Sequence, residues 1–305
     1  VFGDWSSDVC SSDLTCSTTI REKSSVMIKF TKMQGIGNDY IYIDARSTAP
    51  KHPEKLSVVM SDRHFGVGSD GLILVLKSDT ADFRMRMFNS DGSEAEMCGN
   101  GIRCFAKYVY DHGLAKNKLI SVETLAGVKH LDLHVRNRKV ESVRVDMGEP
   151  ILQRERIPMT GSPGMVINES LSLGDGVRFE ITAVSMGNPH AVIYVEDVKN
   201  FPVEKYGTMI ENHDLFPNRT NVEFVQILNE EEVIQRTWER GSGETLACGT
   251  GASAVTVAGV LTKRTARSIL VHLNGGDLRT EWREDDNHVF LTGPAVEVFQ
   301  GTWPD

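Results

Sequence analysis

Two short stretches of the 305-residue chain place acid–base-competent residues at one and the same spacing: Glu94-Ala-Glu-Met-Cys98-Gly-Asn-Gly101 and Glu244-Thr-Leu-Ala-Cys248-Gly-Thr-Gly251. In each, a Glu lies four residues before a Cys, Gly-x-Gly follows, and a run with helical spacing begins. A Cys that opens a helix sits near backbone N–H groups without intrahelical acceptors and near the positive end of the helix dipole. That setting lowers a thiol pKa from about 8.5 toward ~3.5–7.5, and the same N–H groups can bind a carboxylate. Each turn is therefore expected to supply a reactive sulfur and an anion cradle. Two thiols on opposite sides of a cleft suit one reaction type. One takes a proton from a carbon acid while the other delivers a proton to the opposite face, inverting the centre. Glu94 and Glu244 read either as groups that orient the turns or as capping, solvated residues. Cys104 falls six residues after Cys98 on the same helix, points elsewhere, and reads as core.

The elements that position these turns repeat as well. At the 150-residue offset of the two cysteines, Asn38 matches Asn188, Phe88 matches Trp238, Asn89 matches Glu239, Gly71 matches Asn221 and Arg86 matches Arg236. Gly127 matches Gly276 at an offset of 149. Repeats this long are domains rather than solenoid units of ~20–50 residues. In the first copy, alternation predicts strands over 28–33, 39–44, 72–76 and 83–88, with a tight turn at Gln34–Asn38. Helices are expected over 54–64 and about 100–112, the latter closed by Gly113. Strands follow near 119–124, 128–135 and 140–146. The second copy predicts strands over 178–185, 190–195, 222–228, 232–238, 268–273, 277–283 and 287–292, and helices over 203–212 and 250–262.

Composition limits the alternatives. Hydrophobic content of 40% with 25% charged residues suits a globular protein of about two domains. A net charge of −9 argues against nucleic acid as a partner, and no apolar run approaches the ~18–20 residues that span a bilayer. Five cysteines without C-x-x-C or zinc spacing form neither a disulfide framework nor a metal site, which points to a reducing, cytoplasmic setting. Residues 1–26 are Ser- and Asp-rich, lack an apolar secretory core, and read as a non-native or disordered leader.

Six motifs, in order, resemble the diaminopimelate epimerase family: Met33-Gln-Gly-Ile-Gly-Asn-Asp39, Phe88-Asn-Ser-Asp-Gly-Ser93, Met97-Cys-Gly-Asn-Gly-Ile-Arg-Cys104, Met186-Gly-Asn-Pro-His190, Asn221-Val-Glu-Phe-Val225, and Thr237-Trp-Glu-Arg-Gly-Ser-Gly-Glu-Thr245 with Ala247-Cys-Gly-Thr-Gly251. The resemblance covers roughly residues 28–303. It implies an α+β fold of two pseudo-symmetric halves, each a mostly antiparallel barrel-like sheet around a central helix. The first half would span 27–148, with 294–305 returning to it, and the second 149–293. It further implies a cofactor-independent, homodimeric epimerase that interconverts LL- and meso-2,6-diaminoheptanedioate in lysine synthesis. Cys98 and Cys248 would be the acid–base pair, with Gly99, Asn100, Gly249 and Thr250 binding the α-carboxylate. Glu239 would accept the α-ammonium and His190 would help position the thiols. Asn38, Asn89, Asn188, Asn221 and Arg240 would hold the substrate, chiefly its distal end. Without the resemblance, Asn38 and Asn188 read equally as turn residues, His190 as structural, and Glu239-Arg240 as a surface ion pair. Some members carry Gln where this chain has Gly71, so no side-chain contact is expected there. A proline or hydroxyproline racemase is the nearest alternative enzyme, although such relatives lack the Glu239-to-Thr245 run. A dithiol redox or metal-binding protein and a non-catalytic binding module are the alternatives of other classes.

Overall fold

A computed structural model describes residues 27–174 and 176–304, so the expectation for residues 1–26 lies outside the described residues. The first half runs β1 (Met27–Gly35), β2 (Asn38–Asp44), α1 (Pro53–Ser61), β3 (Gly71–Leu76), β4 (Phe83–Asn89), β5 (Glu94–Ala95), α2 (Gly99–Asp111), β6 (Leu119–Thr124), β7 (Gly127–Arg136) and β8 (Lys139–Gly148). After a short 3-10 turn at Arg154–Arg156 comes β9 (Glu169–Ser172). The second half runs β10 (Arg178–Ser185), β11 (Pro189–Tyr194), α3 (Val203–Glu211), β12 (Asn221–Asn229), β13 (Glu232–Glu239), β14 (Gly243–Thr245), α4 (Gly249–Leu261), β15 (Ser268–Leu273), β16 (Gly276–Trp282) and β17 (Val289–Pro294). A last strand, β18 (Val296–Pro304), pairs antiparallel with β1.

The two halves use the same pairing scheme. In the first, β2–β3 and β4–β6 are parallel, whereas β1–β2, β3–β4, β4–β5, β6–β7 and β7–β8 are antiparallel. The second repeats it, with β11–β12 and β13–β15 parallel and the rest antiparallel. β9 stands against β10 as β18 stands against β1. One further antiparallel ladder, β8 against β17, joins the halves into a single sheet.

Burial explains the arrangement. Phe83, Met85 and Met87 of β4 point inward and the intervening Arg84 and Arg86 outward, as period-two patterning requires. α2 and α4 lie inside the wrapped sheets, and one core joins them, with Phe105 and Val109 from α2 and Val255 and Val257 from α4. α4 is nearly all small apolar residues, so it can be enclosed on all sides. α2 keeps one polar edge, where Lys107 and Asp111 form an i,i+4 pair at 2.8 Å. α1 and α3 pack on the outer faces over separate smaller cores.

Local chemistry sets several ends. α1 stops at Ser61 rather than near His64 because the Asp62 carboxylate accepts the His64 and Phe65 N–H groups at 2.7 Å each, turning the chain. Gly113 closes α2 at φ +72, the left-handed geometry anticipated for it. β5, β9 and β14 are too short for alternation to reveal. Gly71 opens β3 under tight constraint: a Cβ there would lie 2.1 Å from the Phe88 carbonyl oxygen and 3.0 Å from Tyr40 Cε1. Gly71→Ala is therefore expected to lower stability in urea unfolding by about 1–3 kcal/mol, the usual cost of overpacking; an unchanged midpoint would contradict this close approach.

Candidate active site

Each cysteine is the N-cap of its helix. Cys98 and Cys248 have extended backbones, at φ −130 and −125, so the chain enters each helix through its sulfur-bearing residue. The sulfurs accept the Gly101 and Gly251 N–H groups, each at 3.4 Å. Duplicated ion pairs hold the approaching strands: Arg86 forks onto Glu94 at 2.7 and 2.9 Å, and Arg236 onto Glu244 at 2.7 and 2.8 Å. Of the two readings of these glutamates, the orienting one fits, because each ties its cysteine turn to the neighbouring strand. The helices meet end to end. A Cβ built on Gly99 would lie 3.8 Å from Gly249 Cα, and Asn100 Nδ2 donates to the Ala247 carbonyl at 3.2 Å.

Beside each sulfur stands an asparagine delivered by a glycine turn. Gly37 and Gly187 adopt φ +89 and +97, which only glycine accepts at little cost. Asn38 Nδ2 donates to Asp70 Oδ2 at 2.7 Å, which turns its carbonyl outward to accept the Cys98 thiol proton at 3.3 Å. Asp70 is itself fixed by the Asp39 N–H at 3.0 Å and by Arg63 at 2.9 Å. Across the pseudo-twofold, Asn188 Nδ2 donates to Thr250 Oγ1 at 3.3 Å, and Thr250 Oγ1 lies 3.4 Å from Cys248 Sγ.

Both thiols line one cavity of about 930 Å³ walled by the two halves. Every residue of the expected site borders it except His190. His190 is fully buried behind Asn188, with Nε2 3.0 Å from Asn188 Oδ1 and Nδ1 2.8 Å from Glu223 Oε1. Asn221 has both ends of its amide engaged, donating to the Pro189 carbonyl and accepting the Arg240 N–H, each at 2.9 Å. Asn89 donates to Ser93 Oγ at 3.0 Å, and the exposed Arg240 guanidinium donates to the Asn218 carbonyl at 2.9 Å. Thr245 Oγ1 donates to Glu239 Oε1 at 2.5 Å, aiming this carboxylate at the thiols.

The electrostatics reverse one expectation. The helix N-termini do favour thiolates, but burial acts more strongly and pushes both thiols up. Glu239 raises them further, and Glu223 adds to this at Cys248, which lies well above its ordinary value. Burial likewise raises Glu239 itself. Cys104 is buried in the core, and its thiol is pushed up to about 12 by desolvation.

Motif reading passed over Asp70, Arg63, Thr245 and Glu223. Asp70 and Arg63 reach Asn38 and Asp39 across 32 and 24 positions, a proximity that local spacing does not encode. Glu223 carried a signal. An acid between Val222 and Phe224, in a strand apolar through Val225, must be buried on one face or the other.

Solved structures share this architecture. A phenazine biosynthesis protein of the PhzF family from Bacillus anthracis matches with a TM-score of 0.65 at 17% identity, covering 92% of this chain and all of its own. A hydroxyproline epimerase from Agrobacterium vitis also matches with a TM-score of 0.65, at 14% identity and 91% of each chain. The chain thus has the α+β fold that these proteins share. The family model for diaminopimelate epimerase matches residues 30–153 and 182–298. Diaminopimelate epimerases from Methanococcus maripaludis (57% identical) and Acetivibrio thermocellus (55%) align over 90% of this chain and 99% and 98% of their own lengths. The chain belongs to the diaminopimelate epimerase family.

Because the Glu239 carboxylate opposes ionisation of both thiols, its neutral counterpart should ease it. Glu239→Gln is expected to move iodoacetamide alkylation of Cys248, followed peptide by peptide, to lower pH. Alkylation at unchanged or higher pH would contradict this electrostatic reading.

Proposed function

We propose that this chain interconverts LL- and meso-2,6-diaminoheptanedioate in lysine biosynthesis by a cofactor-independent two-base reaction, with Cys98 and Cys248 on opposite faces of the α-carbon. The observation that carries this reading is the pair of capping cysteines from equivalent helices lining one cavity. The α-carboxylate fits between the helix N-termini, against the N–H groups of Gly99, Asn100, Gly249 and Thr250. As the α-proton leaves, negative charge spreads onto that carboxylate, and the fixed N–H dipoles stabilise it without reorganising. Glu239 receives the α-ammonium. That cation offsets the carboxylate that holds the thiols up, so substrate binding itself favours ionising one of them.

Asn38, Asn89, Asn188, Asn221 and Arg240 hold the substrate, chiefly its distal amino-acid end, in the cavity they border. The Arg240 guanidinium suits a substrate with a second carboxylate and speaks against proline, which has one. His190, from behind, keeps Asn188 and through it Thr250 oriented toward Cys248. In our reading the halves divide near Gly148 and again before the returning β18, and the working protein is a cytoplasmic homodimer. No helix among the described residues is long and apolar enough to cross a membrane.

Incubation of LL-diaminopimelate in D2O without added cofactor tests this. The inverted product is expected to carry α-deuterium, and proline to remain unchanged. Cys98→Ala and Cys248→Ala should each lose epimerisation by roughly 10²–10⁴-fold, as for a lost acid or base. Turnover surviving in both variants, or a requirement for pyridoxal phosphate, would refute the mechanism.

A further inference from the structure

Arg103 is the bulkiest fully buried side chain of the described residues, and the reaction as drawn does not use it. It projects from the start of α2, five residues past Cys98. Its Nη1 donates to the Gly99 carbonyl at 3.0 Å and its Nε to the Pro294 carbonyl at 3.3 Å. Nη2 is buried without a partner among the described residues. The ionisable groups that surround it are Cys98, Cys104 and Tyr42, and no carboxylate is among them. A buried charge normally has an ionic partner, because isolation from water is costly. Burial lowers the guanidinium pKa, but from a starting point so high that the group stays charged.

The second half shows what is special about it. At the equivalent position stands Ser253, also fully buried, and its Oγ donates to the Gly249 carbonyl at 3.0 Å. The same first-turn carbonyl is thus engaged in both halves, by a neutral hydroxyl beneath Cys248 and by a cation beneath Cys98. The groups around Cys98 include Glu239 from β13, Tyr40 and Tyr42 from β2, and Arg103 and Cys104 from α2, with Asp70 and Arg63 reaching it through Asn38; Arg103 is the buried cation among them, whereas Arg63 is half-exposed and paired with Asp39 and Asp70. Cys248 instead faces two carboxylates, Glu239 from β13 and Glu223 from β12, with His190 of β11 beside them.

We propose that Arg103 is a positioning residue that breaks the equivalence of the two thiols, making Cys98 the one that ionises first and leaving Cys248 as the proton donor. This rests on the two-base reading given above. In the reaction it favours, the Cys98 thiolate takes the α-proton and becomes a thiol, while Cys248 gives its proton to the opposite face and becomes a thiolate. Reverse turnover or exchange with solvent then restores the starting pair.

Peptide-resolved iodoacetamide alkylation of the substrate-free protein across a pH series tests the assignment. In the unaltered chain, Cys98 is expected to reach half its plateau rate at lower pH than Cys248. Arg103→Gln removes the charge but keeps an amide donor for the two carbonyls. It should slow Cys98 alkylation at neutral pH roughly tenfold relative to its own high-pH plateau, the effect of losing one nearby opposite charge. Arg103→Lys, which keeps the charge, should stay close to the unaltered chain. The limb of the kcat profile that reports the ionising thiol should move with Arg103→Gln while KM stays nearly constant. A lower alkylation midpoint at Cys248 than at Cys98 in the unaltered chain overturns the proposal, whether or not Arg103→Gln folds. So does a folded Arg103→Gln whose Cys98 alkylates as before. Alkylation requires no turnover, so ordered thiols in a chain that fails to epimerise diaminopimelate would sink the functional reading and not this one.

Discussion

The molecule is built around an electrostatic opposition: two helix N-termini point at each other across one cavity. Each carries roughly half a positive charge from its aligned peptide dipoles, and at the contact of Gly99 with Gly249 these ends repel. Negative groups must relieve that repulsion, and the protein supplies them only in part. The two sulfurs accept first-turn N–H groups, Ala247 offers its carbonyl to Asn100, and Glu239 stands beside the thiols. The space between the helix ends therefore favours negative charge. A reaction that generates negative charge there finds it already favoured, because the continuous sheet and the Arg–Glu forks hold the dipoles in place.

Burial and helix field act on the thiols with opposite signs, and the balance between them has chemical sense. Strongly ionised thiols would be open to oxidation and to stray electrophiles, since the thiolate is the reactive form. Desolvation together with the carboxylates of Glu239 and Glu223 keeps the protons in place until something cationic enters. Reactivity is in this way tied to occupancy, and the same residue that would recognise an ammonium also restrains the sulfurs while the cavity is free of it.

Much of this was legible in the linear chain. The offset of 150 residues between the cysteines, extended to Asn38 with Asn188 and Arg86 with Arg236, predicted two like halves; the cysteines and asparagines of that set border the cavity, and the arginines form the matching ion pairs behind it. The handed wrapping of sheet around helix came from family resemblance, because period-two patterning locates strands but not their partners. The parallel neighbours β2–β3 and β11–β12 illustrate the point, since each pair is separated by a helix that gives no register. The thiol pKa was misjudged because motif reading sees a helix start and cannot see the depth of burial. The Asp70–Asn38 and Glu223–His190 contacts stayed hidden for a related reason, since each joins segments more than thirty residues apart.

The ladder between β8 and β17 has a mechanical consequence. Six residue pairs bind the halves there, from Val289 with Gly148 to Pro294 with Ser142. At about 0.5–1.5 kcal/mol per hydrogen bond, pulling that seam apart would cost a large share of the stability of an ordinary domain. The halves therefore behave like the covers of a book on a stitched spine. Admission of a substrate must come from bending about that spine or from movement of rim turns, and never from the covers parting.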